Sequence, residues 1–129
     1  MNRSAKGELG KQGEIVAANY LRKNGYEILA TNFSNELGYR RGEIDIVAKD
    51  PENNELVFVE VKTRKKSLYS QEPEQAISRQ KYHRLARAIS NYLNRNRLHG
   101  CDYRLDAVSV EIDPEKGITS LKHLKYIYY

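Results

Sequence analysis

The run Leu56-Val-Phe-Val-Glu60-Val-Lys62-Thr-Arg64 limits most sharply what this chain can fold into. It is apolar on both faces of a strand until Glu60, where ionised side chains begin. Charge at the end of so hydrophobic a strand is costly unless a partner or a metal compensates it. Just upstream, Glu43-Ile-Asp45-Ile-Val-Ala reads as another strand. The polar join Asp50-Pro-Glu-Asn-Asn is short enough to make the pair an antiparallel hairpin.

The rest of the chain supplies layers for such a hairpin. Ala17, Ala18 and Leu21 recur at helical spacing and Asn24-Gly25 closes the segment, which predicts a helix over 7–24. A strand is expected over 26–33, a loop or turn over 34–41, and strands over about 42–49 and 55–63. Residues 65–72 read as a polar, mobile segment. A second helix is expected over 74–95, with Ile77, Leu85, Ala88, Ile89 and Tyr92 on one stripe. A break over 94–102 precedes a strand over 103–112, a turn at 113–117 and a last strand from Ile118. The order of helix, three strands, helix and two strands suits an α/β fold, a mixed sheet with helices packed on its faces. At 129 residues the chain fits a single domain, 1–129, with 1–6 as a loose basic tail.

Composition narrows the function. The start Met1-Asn-Arg-Ser lacks the apolar region of a signal peptide, and no apolar run nears the roughly 18 residues of a membrane span. A cytoplasmic location and no membrane partner are therefore expected. Cys101 is the single cysteine, with no cysteine partner for a disulfide or a zinc site. The net charge of +5 is uneven: residues 62–104 hold 11 Lys plus Arg against 3 Asp plus Glu, a surplus of +8. A basic segment following an acidic cluster points to a polyanionic partner, with a solubilising surface as the alternative.

Strand alternation places Glu60 and Lys62 on one face, and Asp45 on a face with Glu43 and Val47. In a suitable hairpin register Asp45 lies beside Glu60. Two close carboxylates repel, and a hard divalent cation such as Mg²⁺ or Mn²⁺ resolves the repulsion. Such an ion lowers the pKa of a bound water and screens a scissile phosphate. Lys62 could orient the water and stabilise developing charge; the Val61 carbonyl, next to Glu60, could complete the coordination. The alternative is structural, with Asp45 paired to Lys62 or Glu60 to Arg64.

Glu14 precedes Ala17, Ala18 and Leu21 by three, four and seven residues, so it looks inward. It could reach a metal, hold Lys62, or snorkel to solvent. Lys81 lies in line with Ile77 and Leu85 and could approach the acids or a phosphate, or lay its stem along the core edge. Gln75 and Gln80 read as helix surface, and Arg104 and Asp106 as a pair bracing each other. His83, His99 and His123 are scattered and read as surface residues. No Gly-x-Ser-x-Gly, P-loop or Gly-x-Gly-x-x-Gly pattern competes.

Taken together, several segments carry a resemblance. They are Gly10-Lys-Gln-Gly13-Glu14-Ile-Val-Ala17-Ala, Leu21 through Gly25-Tyr26-Glu-Ile-Leu with Asn32, Gly42-Glu43-Ile44-Asp45-Ile46-Val47-Ala48, Leu56 through Arg64, then Ala76-Ile77, Lys81, Leu85, Ala88 and Arg104-Leu105-Asp106. With these the chain resembles the YraN-like bacterial proteins, a group with a restriction-endonuclease-like fold. The wider fold group is similar to the PD-(D/E)-x-K nucleases, archaeal Holliday-junction resolvases among them. By that resemblance Asp45, Glu60 and Lys62 map onto metal-binding and catalytic positions and Glu14 onto the acidic position of the first helix. Ile44 stands where the motif has proline, a departure common in the group.

The resemblance implies Mg²⁺- or Mn²⁺-dependent hydrolysis of a nucleic-acid phosphodiester, DNA foremost, by a homodimer. Asp45, Glu60 and Val61 would hold the metal. Arg64, Lys65, Lys66 and the second helix with Arg79, Lys81, Arg84 and Arg87 would track phosphates. The alternatives are a nucleic-acid- or partner-binding module that keeps the fold without cutting, and a scaffold that self-associates through Tyr126-Ile-Tyr-Tyr.

Overall fold

A computed structural model describes residues 7–35, 42–66 and 78–127. The expectations for 1–6, for Gln75, Ala76 and Ile77, for most of the 34–41 and 65–72 segments and for Tyr128-Tyr129 lie outside the described residues. Helix α1 spans Glu8–Lys23 and strand β1 Glu27–Asn35. Strands β2 (Gly42–Lys49) and β3 (Leu56–Lys65) follow, then helix α2 (Arg79–Arg95) and strands β4 (Tyr103–Asp113) and β5 (Gly117–Leu124). This is the expected order. It forms one five-stranded mixed sheet in the order β1-β2-β3-β4-β5, antiparallel throughout except for the parallel pair β3 and β4.

The parallel pair is what puts β3 at the centre. A parallel neighbour requires a crossover, and α2 provides it on one face while α1 covers the other. Both faces of β3 are therefore dry from Leu56 to Glu60. Val57 and Val59 pack with Ala17, Ala18 and Leu21 of α1. Leu56 and Phe58 pack with Leu85, Ala88, Ile89 and Tyr92 of α2. The β2–β3 connection is the expected hairpin, closed by Asp50 N–H to the Glu55 carbonyl at 3.0 Å and by Asn54 in the left-handed region (φ 60°). Helix α2 starts at Arg79 because the Ser78 hydroxyl accepts the Lys81 N–H at 3.1 Å, an N-cap.

Helix α1 sits on β3 at a contact only glycine allows. A Cβ on Gly13 would lie 1.8 Å from Thr63 Oγ1 and 2.8 Å from Thr63 Cβ. Turning the hydroxyl away relieves the first clash and leaves the second. Gly13→Ala is therefore expected to destabilise the protein by about 1–3 kcal/mol, the usual penalty of overpacking, and to lift the neighbouring Glu14 from its place. A thermal melt checks this: a midpoint within about 2 °C of wild type would mean that the helix accommodates the methyl group freely.

Candidate active site

The acids gather where β2 and β3 part. The ladder between these strands runs from Lys49↔Leu56 to Ile46↔Val59 and stops there. One further step in that register sets Asp45 opposite Glu60, as the hairpin reading requires. Instead of continuing the ladder, Asp45 Oδ2 accepts the Val61 N–H at 2.8 Å. A side chain thus satisfies the backbone donor that the departing strand gives up. On the other side of β2, the pairs Thr31↔Ile46 and Phe33↔Ile44 flank Asn32 and Asp45, and Asn32 is in the left-handed region (φ 53°).

The same break disturbs the alternation of β2. In a regular strand Ile44 and Ile46 would share a face. Here Ile44 packs in the α2 layer and Ile46 in the α1 layer. Asp45 does not follow Val47 into the α2 layer, as plain alternation predicts. Its carboxylate gathers with those of Glu14 and Glu43, the three contributing oxygens that lie within 4.8 Å of one another. Asp45 and Glu60 are 4% and 2% exposed, so their ionisation takes place out of water.

Glu60 reaches the group from the α2 side. Strand alternation puts it on the Phe58 face, where the Lys81 ammonium of α2 pairs with it. Burial raises the Glu60 pKa first and the Asp45 charge raises it further; the Lys81 charge and hydrogen bond lower it, and a hydrogen bond with Asp45 raises it, to about 7 in all. Glu60 thus takes up or releases a proton near neutrality, beside Asp45. Lys62 is half-buried two residues beyond Glu60 on the same strand.

The structure therefore brings Asp45 and Glu14 together and adds Glu43, which strand alternation marks only as a face-mate of Asp45, while Glu60 adjoins Asp45 alone. The i, i+2 spacing of Glu43 from Asp45 was the available signal. Glu60 stands outside the tightest acid trio, turned to Lys81. Of Val61, the N–H is the group seen to meet Asp45. Lys81 is engaged with an acid, while Arg84 and Arg87 are exposed on α2. Arg64 is half-buried on β3, and Lys65 and Lys66 are exposed at its end. The carboxylate set is all hard oxygen, the donor chemistry that Mg²⁺ and Mn²⁺ take.

A second polar cluster lies under the other end of α1 and reads as structure. Arg104 donates to Asp106 (3.0 and 3.2 Å), Asp50 (2.7 Å), Glu55 (3.3 Å) and the Tyr26 hydroxyl (3.0 Å). His123 Nε2 lies 2.7 Å from Asp106 and its Nδ1 lies 3.0 Å from the Tyr20 hydroxyl. The Arg104–Asp106 brace is the one expected. His123 is a correction, since its side chain is only 7% exposed. Pairing of β4 with β5 delivers it to Asp106, a neighbour no local spacing reveals. Tyr126 folds back as well: its N–H meets Asp106 at 3.2 Å and its ring lies under the Arg104 guanidinium. No helix of the described residues is long and apolar enough to cross a membrane.

The profile of UPF0102, described as an uncharacterised protein family, matches residues 13–110, from Gly13 at the Thr63 contact to Val110 in β4. A UPF0102 protein of Caldicellulosiruptor saccharolyticus is 41% identical over 120 residues, covering 93% of this chain and 96% of that protein. One of Trichlorobacter lovleyi is 42% identical over 102 residues (79% and 76%), and one of Alkaliphilus metalliredigens 41% over 110 residues (85% and 90%).

Proposed function

The chain belongs to the UPF0102 family, the YraN family, and from that premise we propose that it is a divalent-metal-dependent nuclease acting on nucleic-acid phosphodiesters, DNA foremost. The observation that carries this reading is the parting of β2 from β3 at Asp45. It forces Glu14, Glu43 and Asp45 within 4.8 Å while Glu60 meets Asp45 from the opposite layer. Three carboxylates crowded at one break in a sheet, with a fourth beside Asp45 paired to Lys81, are unfavourable for stability alone and useful for holding a cation.

A Mg²⁺ or Mn²⁺ ion held by Asp45 with Glu14, Glu43 and Glu60 would supply a water of lowered pKa and neutralise charge on the phosphate. The chain's own groups do the rest. Glu60, whose pKa is about 7 in the metal-free fold, gives up its proton before it can hold the ion. Lys62 stabilises negative charge on the phosphate. The Val61 N–H fixes the Asp45 carboxylate in place. A binder that keeps the fold without cutting gains nothing from acids placed beside a phosphate.

Mn²⁺ titration followed by paramagnetic broadening of NMR signals tests the site. Broadening is expected to centre on Glu14, Glu43, Asp45 and Glu60 and to vanish in Asp45→Asn. In a cleavage assay with Mn²⁺, Asp45→Asn is expected to lose at least about 100-fold in rate, as removal of one charge-stabilising group does. Diffuse broadening unchanged by the substitution, with DNA held as tightly by the variant, would favour the non-cutting module.

A further inference from the structure

The acid site opens on one side into a groove between α1 and β1, with a volume of about 410 Å³. Glu14 and Asn32 belong to both: Glu14 is one of the clustered acids, and Asn32 is the left-handed residue opposite Asp45 where the β1–β2 ladder lapses. From there the groove follows one stripe of α1, with Lys11, Ile15, Asn19 and Arg22 recurring at helical spacing. Lys11, Ile15, Asn19 and Arg22 are all exposed, and Ile15 is 61% exposed, a large apolar side chain facing water.

Resting on the nuclease reading, we propose that this groove seats an unpaired strand of nucleic acid and leads it to the acids. The chemistry of the wall matches such a ligand. Lys11 and Arg22 stand about 16 Å apart along the helix at 1.5 Å per residue, a span that takes several phosphates. Between them Ile15 offers an apolar surface for a sugar or a base face, and Asn19, whose Oδ1 accepts from Arg22 at 3.4 Å, offers its amide N–H groups to polar edges. The exposed Ile15 chooses between strand forms: in a duplex the base faces are stacked inside, and only an unpaired strand can lay one on an apolar side chain. The cations are also unevenly placed about Glu14. Lys11 is one turn away and Arg22 more than two, so the longer arm of the strand lies toward the C-terminal end of α1. The exposed arginines of α2 are on the other face of the sheet, where Lys81 already covers Glu60.

Fluorescence anisotropy with a labelled 20-nucleotide single-stranded DNA and its duplex, in Ca²⁺ at several salt concentrations, tests the groove. The proteins compared are wild type, Arg22→Glu, Lys11→Glu and Arg84→Glu, each with a thermal melt to verify folding. The expected result is tighter binding of the single strand than of the duplex. Arg22→Glu and Lys11→Glu should each weaken it about tenfold and flatten the salt slope by about one, each by more than Arg84→Glu does. Single-strand binding unchanged by the α1 substitutions and lost with Arg84→Glu would overturn the groove and leave the nuclease reading standing, as would preference for the duplex. Absence of binding by wild type to either DNA also overturns it. If the α1 residues govern strand binding but wild type with Mn²⁺ cuts nothing, the groove stands and the nuclease reading fails.

Discussion

Replacing Arg104 by alanine is expected to remove about 3–5 kcal/mol of stability, the cost of leaving buried charges without their partner. Arg104 is 4% exposed and holds Asp106, which is fully buried, and Asp50, which is 4% exposed. Burial alone would lower the arginine's pKa, and the hydrogen bonds it donates to Asp106 and Asp50 outweigh it. Burial alone would likewise raise both aspartates. For Asp106 the bonds to His123 and Arg104 win, and for Asp50 those to the Glu52 N–H and Arg104, so both stay below the ordinary carboxylate range. Without the guanidinium neither remaining set of donors can neutralise two buried anions.

Domains of this size have roughly 5–15 kcal/mol in total, so the loss is a large share. In urea it should move the midpoint by roughly 2 M at an ordinary slope. Arg104→Lys keeps a charge but not the three-way fork of Nε, Nη1 and Nη2, and should fall between. A loss under about 1 kcal/mol for the alanine variant would mean that the network contributes little. Because both aspartates have depressed pKa values, their contribution is present above the usual carboxylate range and is lost as pH falls through their folded values.

The acid site should show the opposite pH dependence. The Glu60 pKa rises from 4.5 in an unhindered glutamate to about 7 in the fold, first through burial and then through the charge of Asp45. In that window the folded chain holds a proton that the unfolded chain has released. The stability Glu60 contributes is thus complete below about pH 4.5 and is lost as pH rises through 7, with a size on the order of 3 kcal/mol. In EDTA the wild type should therefore be less stable at pH 8 than at pH 5.5.

Glu60→Gln, which cannot ionise, should flatten that dependence, making the variant more stable than wild type at pH 8 and close to it at pH 5.5. Urea unfolding of both proteins at the two pH values decides it, and parallel pH dependence in the two would sink the idea. A cation binding the ionised form should reverse the effect, its affinity climbing about tenfold per pH unit below 7 as it displaces the proton. A site that loses stability when charged and regains it with a ligand has the balance expected of function rather than of structure.

Much of the layout was legible in the chain because it rests on local pattern. The two-sided apolar run Leu56–Val59 reads as a buried strand, and Ala17, Ala18 and Leu21 recur as one face of a helix. The polar join at 50–54 pointed to the hairpin, in which a suitable register sets Asp45 beside Glu60, and the observed ladder has that register. The same spacing turned Glu14 inward and put Glu60 and Lys62 on one face. What the chain alone left undecided depends on distant residues meeting. Strand alternation predicts a regular β2, and only its place between β1 and β3 breaks that alternation at Asp45, because β3 turns to its parallel partner β4 while β2 stays with β1. That divergence draws Glu43 into the cluster and frees the Val61 N–H for Asp45.

Gly13 looks like any helix glycine until Thr63 lies against it. His123 looks isolated until the β4–β5 ladder brings it to Asp106. Lys81 has several roles open to it until α2 docks and places it on Glu60. Sequence periodicity determined which faces are dry, because burial of apolar surface acts through nearest neighbours on a strand or helix. The tertiary structure decided which charges meet, because electrostatic partners are chosen by distance in space, and those distances exist only once the sheet has closed its ladders and the helices have packed.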